Sequence, residues 1–278
     1  MKIDKVIFSC SEEYSDFWNI NSMIFKKYLD IESVCLLYGK AENCNVSSKY
    51  GEVVEMEFIP NLPKIIQLTW GKFNYVANTE PNTTWMIGDI DQLPLQRHYF
   101  IDQISHIDEN AFIHLNENGC ARATGKPEGC WQKSGPATGG SDLPAHYHIA
   151  KGRTFSKVFN TITRLSLQAQ IEFIIENRDE LGSRIHNKGL SLEEGLWCAE
   201  ETLSTNLLRE SLNKELFYFF GNTVDNELRI DRSRMLGGEY VYNEEELKSG
   251  KYIDIHCDRP FKKTEHCLNK IIKKAFES

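Results

Sequence analysis

The strongest constraint on the fold is an alternation of short apolar runs with helical patterns through the first ninety residues. Apolar residues recur at near-helical spacing over residues 17–29 and 65–77, which predicts two helices. The intervening apolar or alternating runs predict strands at residues 6–9, 34–38, 53–59 and 85–87. This order predicts an α/β fold with a mainly parallel central sheet flanked by helices on both faces.

Composition narrows the classes of function. The 278 residues are 41% hydrophobic and carry a net charge of −8, so the chain can bury a core but has no long basic run. We expect no nucleic-acid partner, because neutralising phosphates needs clustered Lys and Arg. No apolar run approaches a membrane span or a signal peptide, so we expect no transmembrane segment and a cytoplasmic location. The eight scattered cysteines predict reduced thiols.

The second half of the chain is less regular. Residues 125–142 contain five Gly and two Pro, which predicts a long irregular loop. Beyond that loop we expect strands at residues 145–150 and 252–256, and helices at 155–176, 191–212 and 268–276. No repeat or linker divides the sequence, so a single domain is expected.

The first candidate functional residues follow the predicted strands, because ligands of parallel sheets bind beyond the carboxyl ends of the strands. These residues are Ser9, Cys10, Tyr38, Asp89 and Asp91. Two carboxylates at the end of a buried strand are costly unless a partner neutralises them. A divalent cation such as Mg²⁺ or Mn²⁺ does so, since hard oxygen ligands suit it. The alternative is a solvated turn or a helix cap.

The segment TTWMIGDIDQLPL at residues 83–95 resembles the strand and DxD motif of the nucleotide-sugar-dependent glycosyltransferases with the GT-A fold. Those enzymes often carry a basic residue on the preceding helix, where this chain has Lys72. Several such families end with a strand bearing a metal-binding His and then a basic-Pro-aromatic triplet, matched here by His256 and residues 259–261. Arg259 replaces the Lys of the nearest pattern and Phe261 the Trp, which leaves the subfamily open.

The resemblance implies one GT-A-like domain over residues 1–278. Residues 1–115 would form the nucleotide-sugar-binding half. Residues 116–278 would form the acceptor-side half, which includes a smaller acceptor-side region, the His strand and the amphipathic C-terminal helix. That helix, with its Lys-rich polar side, is expected either to pack on the core or to contact an anionic membrane surface weakly.

The resemblance also implies roles for individual residues. Mn²⁺ or Mg²⁺ would be held by Asp89, Asp91 and His256. The donor would contact Ser9, Cys10, Tyr38, Lys72, Asp89 and Arg259. The acceptor would lie near Trp131, His146, His148 and Trp197. Asp142, Glu200 and Glu201 are the candidates for a catalytic base, with only one of the two glutamates expected to face the cleft. Plain alternatives are a strand histidine with satisfied hydrogen bonds at His256, a surface salt bridge at Arg259, a solvated Lys72 and solvated glutamates on the helix surface.

The implied function is metal-dependent transfer of a sugar from a nucleotide diphosphate sugar, UDP- or GDP-linked, to a hydroxyl of a glycan, glycolipid or other acceptor. Retention and inversion both stay open, since only inversion requires a base. One alternative is a catalytically inactive sugar- or nucleotide-binding protein on the same fold. Another is a haloacid-dehalogenase-like phosphatase, although there the DxD pair normally follows the first strand.

Overall fold

The computed structural model describes residues 1–115, 143, 146–159, 165–177, 196, 199–211, 217–219 and 228–277. Four earlier predictions lie outside these residues: the roles of Asp142, Trp131 and Trp197, and the loop over residues 125–142.

The predicted strands and helices of the first ninety residues are confirmed. They are β1 (Lys5–Ser11), α1 (Trp18–Ile24), β2 (Glu32–Tyr38), β3 (Gly51–Met56), α2 (Lys64–Asn78) and β4 (Thr84–Ile87). A 3-10 turn over Glu12–Phe17 precedes α1, and a π turn over Phe25–Leu29 prolongs it. The helical segment ends where Asp30 adopts a left-handed φ of 59°.

The later elements are shorter. They are β5 (Gln92–Pro94), α3 (Arg97–Phe100), β6 (Phe112–His114), β7 (His148–Lys151), α4 (Gly152–Val158), α5 (Leu167–Glu176), α6 (Ala199–Ser211), β8 (Phe217–Phe219), β9 (Arg229–Asp231), β10 (Met235–Leu236), β11 (Glu239–Tyr240), α7 (Glu244–Lys248), β12 (Asp254–His256) and α8 (Phe261–Phe276). The single helix predicted over residues 155–176 is wrong. α4 ends at Val158, and α5 begins after Ser166, whose hydroxyl caps the new helix by accepting from the Ala169 amide.

The central sheet has the order β3-β2-β1-β4-β7-β6-β8. Four of its six pairings are parallel, and β7 is antiparallel to both of its neighbours. Side chains alternate across β1, so that Val6 and Phe8 pack into one core layer and Ile7 into the other. α1 and α8 cover the first layer, and α2, α5 and α6 cover the second. The predicted α/β architecture, mainly parallel and flanked on both faces, is therefore confirmed.

A smaller sheet, β5-β12-β9, positions the candidate site. β12 runs antiparallel to β5 and parallel to β9, and its last residue, His256, lies opposite both Gln92 and Asp231. This register brings Asp91, one residue before Gln92, beside His256. Both sheets contain strands from before and after residue 115. The division of the chain into two functional halves at that residue stays a prediction.

The C-terminal helix α8 lies on the core. Cys267, Leu268, Ile271 and Ile272 are buried, as the core-packing interpretation expects, while the lysines stay on the outside. A membrane contact through those lysines stays a prediction. Across the described ranges, no helix has both the length and the apolar character needed to cross a bilayer.

Candidate active site

A cavity of about 280 Å³ opens beyond the carboxyl ends of β1 and β4. It gathers residues that are far apart in the sequence. Ten of the predicted site residues line it: Ser9, Cys10, Lys72, Asp89, Asp91, His146, Glu200, Glu201, His256 and Arg259. Their roles stay predictions, but their assembly in one cavity is a property of the fold.

Asp89 faces the buried Lys72 and His146 side chains of this cavity, and its own side chain is 32% exposed. Its Oδ1 accepts a hydrogen bond from the Lys72 ammonium at 2.7 Å, and its Oδ2 lies 3.3 Å from His146 Nδ1. Burial alone would raise the pKa of Asp89, but the Lys72 charge and the His146 ring hold that pKa well below its usual range. Lys72 is only 3% exposed and also donates to the Gly88 carbonyl, so it is not a solvated helix residue.

The backbone that carries the two aspartates is closely held. A Cβ added at Gly88 would lie 2.5 Å from the Phe8 ring, so glycine lets the end of β4 approach β1. The buried Asn21 side chain donates to the Ile90 carbonyl at 2.9 Å, between the two aspartates. These contacts fix the direction in which each carboxylate points.

Asp91 faces a different set of partners. Arg259 donates to its Oδ2 from Nε at 2.9 Å and from Nη2 at 2.5 Å, and Arg232 lies 3.4 Å from the same oxygen. The Arg259 guanidinium also sits 4.8 Å from the centre of the Tyr14 ring. Arg259 is therefore a cavity residue and not a surface salt bridge. A contact with a donor phosphate requires it to release or share Asp91.

His256 is oriented from its far side. Its Nδ1 lies 3.0 Å from Asp231 Oδ2, and its Nε2 lies 3.9 Å from Asp91 Oδ2. Partial burial opposes ionisation of Asp231, but hydrogen bonds from His256 and Ser233 lower its pKa. A carboxylate behind an imidazole, with the second ring nitrogen facing another carboxylate, is typical of metal-binding histidines.

The predicted metal ligands fit a divalent ion in part. The Asp91 and His256 atoms are near enough to share one ion. Asp89, Asp91 and His256 together do not form a trio with ligand atoms within 4.8 Å of one another, as judged over the described residues. The reason is that the Asp89 carboxylate points to Lys72 and His146. Of the three predicted ligands, Asp91 and His256 are therefore the two whose atoms could share one ion.

Both glutamates of α6 line the cavity, so the expectation that only one faces it is wrong. Both residues lie in the first turn of α6, and the cavity extends to this end of the helix. Glu200 is 7% exposed, and burial together with the neighbouring Glu201 charge raises its pKa well above the usual range.

Two predicted contacts lie outside the cavity. Tyr38 is 2% exposed and packs on Phe58 at a ring distance of 4.9 Å, because its position in β2 points toward the α2 layer. His148 is fully buried, with its Nδ1 2.9 Å from His114 Nδ1. Tyr147 separates it from His146 with a left-handed φ of 64°, so the two histidines do not share the cleft face.

Other cavity residues escaped the sequence analysis. Arg229 forms a buried pair with Asp254, with 2.6 Å from Nε to Oδ1 and 2.6 Å from Nη2 to Oδ2. Tyr147 donates to the same carboxylate at 2.7 Å. Arg232 follows on a 3-10 turn. The signal for these residues is the alternation of charged and apolar residues over positions 227–231, which is too short for periodicity to assign.

No protein-family model and no curated protein matches the sequence. Among solved structures, the chain is similar to galactosyltransferase LgtC in complex with donor and acceptor sugar analogues, with 9% identity, 98% of this chain and 95% of that chain covered, and a TM-score of 0.45. It is also similar to the apo-form glycosyltransferase GlyE of Streptococcus pneumoniae TIGR4, with 9% identity, 83% and 47% covered, and a TM-score of 0.42. Both TM-scores lie below 0.5, so the function is inferred below from the chain's own residues.

Proposed function

We propose that the chain is a metal-dependent glycosyltransferase that moves a sugar from a nucleotide diphosphate sugar, UDP- or GDP-linked, to a hydroxyl of a glycan or other acceptor. One observation carries the proposal. A single cavity beyond the carboxyl ends of β1 and β4 combines the Asp91–His256 pair with the cations Lys72, Arg232 and Arg259. A cytoplasmic location is proposed with it.

The cations suit the leaving group. Cleavage between a sugar and a diphosphate leaves negative charge on the diphosphate and develops positive charge on the sugar. Arg232 and Arg259 reach into the cavity with forked guanidinium groups, which match phosphate oxygens. Arg229 is less available because Asp254 already engages both edges of its guanidinium. We therefore assign the diphosphate contacts to Arg259 and Arg232.

Asp91 and His256 would hold the metal. A bound Mn²⁺ or Mg²⁺ would neutralise the diphosphate as a Lewis acid, and the imidazole ligand favours Mn²⁺ of the two. Asp231 keeps the His256 Nε2 turned toward Asp91 through its bond to Nδ1. Asp89 is assigned to the donor rather than to the ion, because its carboxylate is held on the Lys72 side.

The opposite wall is assigned to the acceptor. His146 borders it beside Asp89, and Glu200 and Glu201 enter from α6. In an inverting reaction one glutamate would deprotonate the acceptor hydroxyl, and the raised pKa of Glu200 would move that activity toward higher pH. In a retaining reaction the glutamates would only position the acceptor. Ser9 and Cys10 lie at the end of β1, next to the donor.

The experiment is thermal unfolding of the chain against a panel of nucleotide sugars, with and without Mn²⁺. A donor at a hundred times its Kd stabilises the folded chain by about 2.7 kcal/mol. We expect one nucleotide to stabilise it only with metal, and Asp91→Asn to abolish the shift. Asp102→Asn is the control, because that exposed aspartate lies outside the cavity. No shift with any donor would contradict the proposal.

A further inference from the structure

A second cluster of metal-ligating side chains lies outside the cavity, between the β10–β11 hairpin and α8. Cys267 Sγ is 3.2 Å from Glu239 Oε2 and 3.3 Å from His266 Nε2, and His266 Nε2 is 2.9 Å from Glu239 Oε1. Among the described residues, these three form the group of potential metal ligands (His, Cys, Asp or Glu) whose ligand atoms all lie within 4.8 Å of one another.

The two elements hold the cluster from opposite sides. Gly237 and Gly238 have φ values of 61° and 86°, which a tight two-residue hairpin turn requires, and Glu239 follows that turn directly. His266 and Cys267 are consecutive residues of α8. The Tyr240 hydroxyl accepts from the Asp258 amide at 2.7 Å, which ties β11 to the segment before α8. The three side chains therefore converge from elements already joined by another contact.

The separations suit a small tetrahedral ion. Ligands at about 2.3 Å for sulfur and about 2.0–2.1 Å for nitrogen and oxygen are about 3.3–3.6 Å apart around a tetrahedral centre. The 3.3 Å between His266 Nε2 and Cys267 Sγ lies close to this range. Glu239 approaches the two with different oxygens, Oε1 at 2.9 Å from the imidazole and Oε2 at 3.2 Å from the sulfur, so either oxygen can turn toward a shared ion. Cys267 is buried, whereas the side chains of His266 and Glu239 are 71% and 58% exposed, so solvent can supply a fourth ligand.

The charges around the thiol also suit a cation. The Cys267 thiol donates to Glu239 Oε2, and an ion bound between the sulfur and the carboxylate would take the place of that thiol proton. Lys270, one turn beyond His266, is the neighbouring positive charge, and it is exposed and screened by solvent.

We propose that Glu239, His266 and Cys267 form a structural site for a borderline transition-metal ion of the Zn²⁺ class. Thiolate and imidazole ligands select such an ion over Mg²⁺ or Mn²⁺, which keeps this site distinct from the Asp91–His256 pair. The ion fastens the hairpin to α8. The hairpin directly follows the turn that bears Arg232, so the ion braces one wall of the cavity without taking part in the reaction.

The test is titration of the reduced full-length chain with Co²⁺, which reports a cobalt–thiolate bond through a near-ultraviolet charge-transfer band. We expect a band with the wild-type chain and its displacement by Zn²⁺. Cys267→Ser should abolish the band. Cys44→Ser should keep it, because that thiol lies outside the cluster.

Two further variants control for misfolding and for metal binding at the Asp91–His256 pair. The exposed Glu239→Gln should fold normally and weaken Co²⁺ binding by about tenfold or more, since even a lost partner of a metal ligand costs that much. Asp91→Asn should leave the band unchanged. Absence of the band in the folded wild-type chain, its persistence in Cys267→Ser, or its loss in folded Asp91→Asn would overturn the proposal.

Discussion

Asp89 and Asp91 are two residues apart in one cavity, yet their surroundings differ. Asp89 is held by Lys72, which is 3% exposed, whereas Asp91 is held by Arg259 and Arg232, whose side chains are 27% and 31% exposed. A buried lysine cannot leave its partner without cost, whereas a partly exposed guanidinium can move to another anion. The Asp89 side is therefore a fixed array of charges, and the Asp91 side is an exchangeable one.

The largest expected effect is on the fixed side. Lys72→Met leaves the Asp89 carboxylate, whose side chain is 32% exposed, without its ammonium partner, which costs about 1–3 kcal/mol of unfolding free energy. Urea denaturation at neutral pH measures the loss. Lys248→Met, at an exposed position of α7, is the matched control and should change the free energy of unfolding by less than about 0.5 kcal/mol. Equal losses for the two variants would remove the distinction between the two sides.

Glu200 belongs to the fixed side of the cavity. Its raised pKa predicts that the free energy of unfolding depends on pH. It titrates near 4.5 when unfolded and at a higher pH when folded, so the folded chain binds the extra proton between these values. The contribution to stability is full below pH 4.5 and is lost as the pH rises through the folded pKa, by up to about 1.4 kcal/mol per pH unit. Glu200→Gln should remove this loss.

Urea denaturation at several pH values between 4 and 9 checks the prediction for Glu200. The variant should gain stability over the wild-type chain as the pH rises. Glu210→Gln, at an exposed position of the same helix outside the cavity, is the matched control and should keep the pH dependence of the wild-type chain. A constant difference between Glu200→Gln and wild type across this range would show that Glu200 titrates normally.

The smallest effects are expected on the exchangeable side. Arg259→Lys keeps the charge but loses the two-atom contact, so affinity for the nucleoside diphosphate should fall about tenfold. The loss in stability should be about 1 kcal/mol, because a positive charge stays beside Asp91 and one hydrogen bond is lost. Arg232, whose contact with Asp91 is longer at 3.4 Å, should lose less affinity when changed to Lys. Calorimetric titration with the nucleotide selected by the donor panel measures the affinity of each variant and so compares the two losses. A stability loss as large as that of Lys72→Met would show that this side is also fixed.

The parts predicted from the sequence share a physical origin. A complete apolar pattern is present in the sequences of β1, β2, β4 and α2. Asp89 and Asp91 follow a strand whose end is set by Gly88. Local sequence determines these features, so periodicity and the position of the motif were sufficient.

The parts that were missed depend on tertiary contacts. β9 has three residues, so its pairing with β12, and not its own pattern, brings Arg229 to the cavity and Asp231 to His256. Tyr147 adopts a left-handed conformation that breaks the alternation expected of its strand. Tyr38 follows the predicted strand but points into the core, because the face of a strand-end residue depends on the layer packed against it.

The most direct test of the proposed function is release of nucleoside diphosphate from the nucleotide sugar that stabilises the chain, measured with and without Mn²⁺. We predict metal-dependent release by the wild-type chain and by Asp102→Asn, and a loss of at least about a hundredfold in Asp91→Asn. Donor binding without release by the wild-type chain would identify a binding protein on this fold. Release that survives in Asp91→Asn would contradict the assignment of the metal to the exchangeable side.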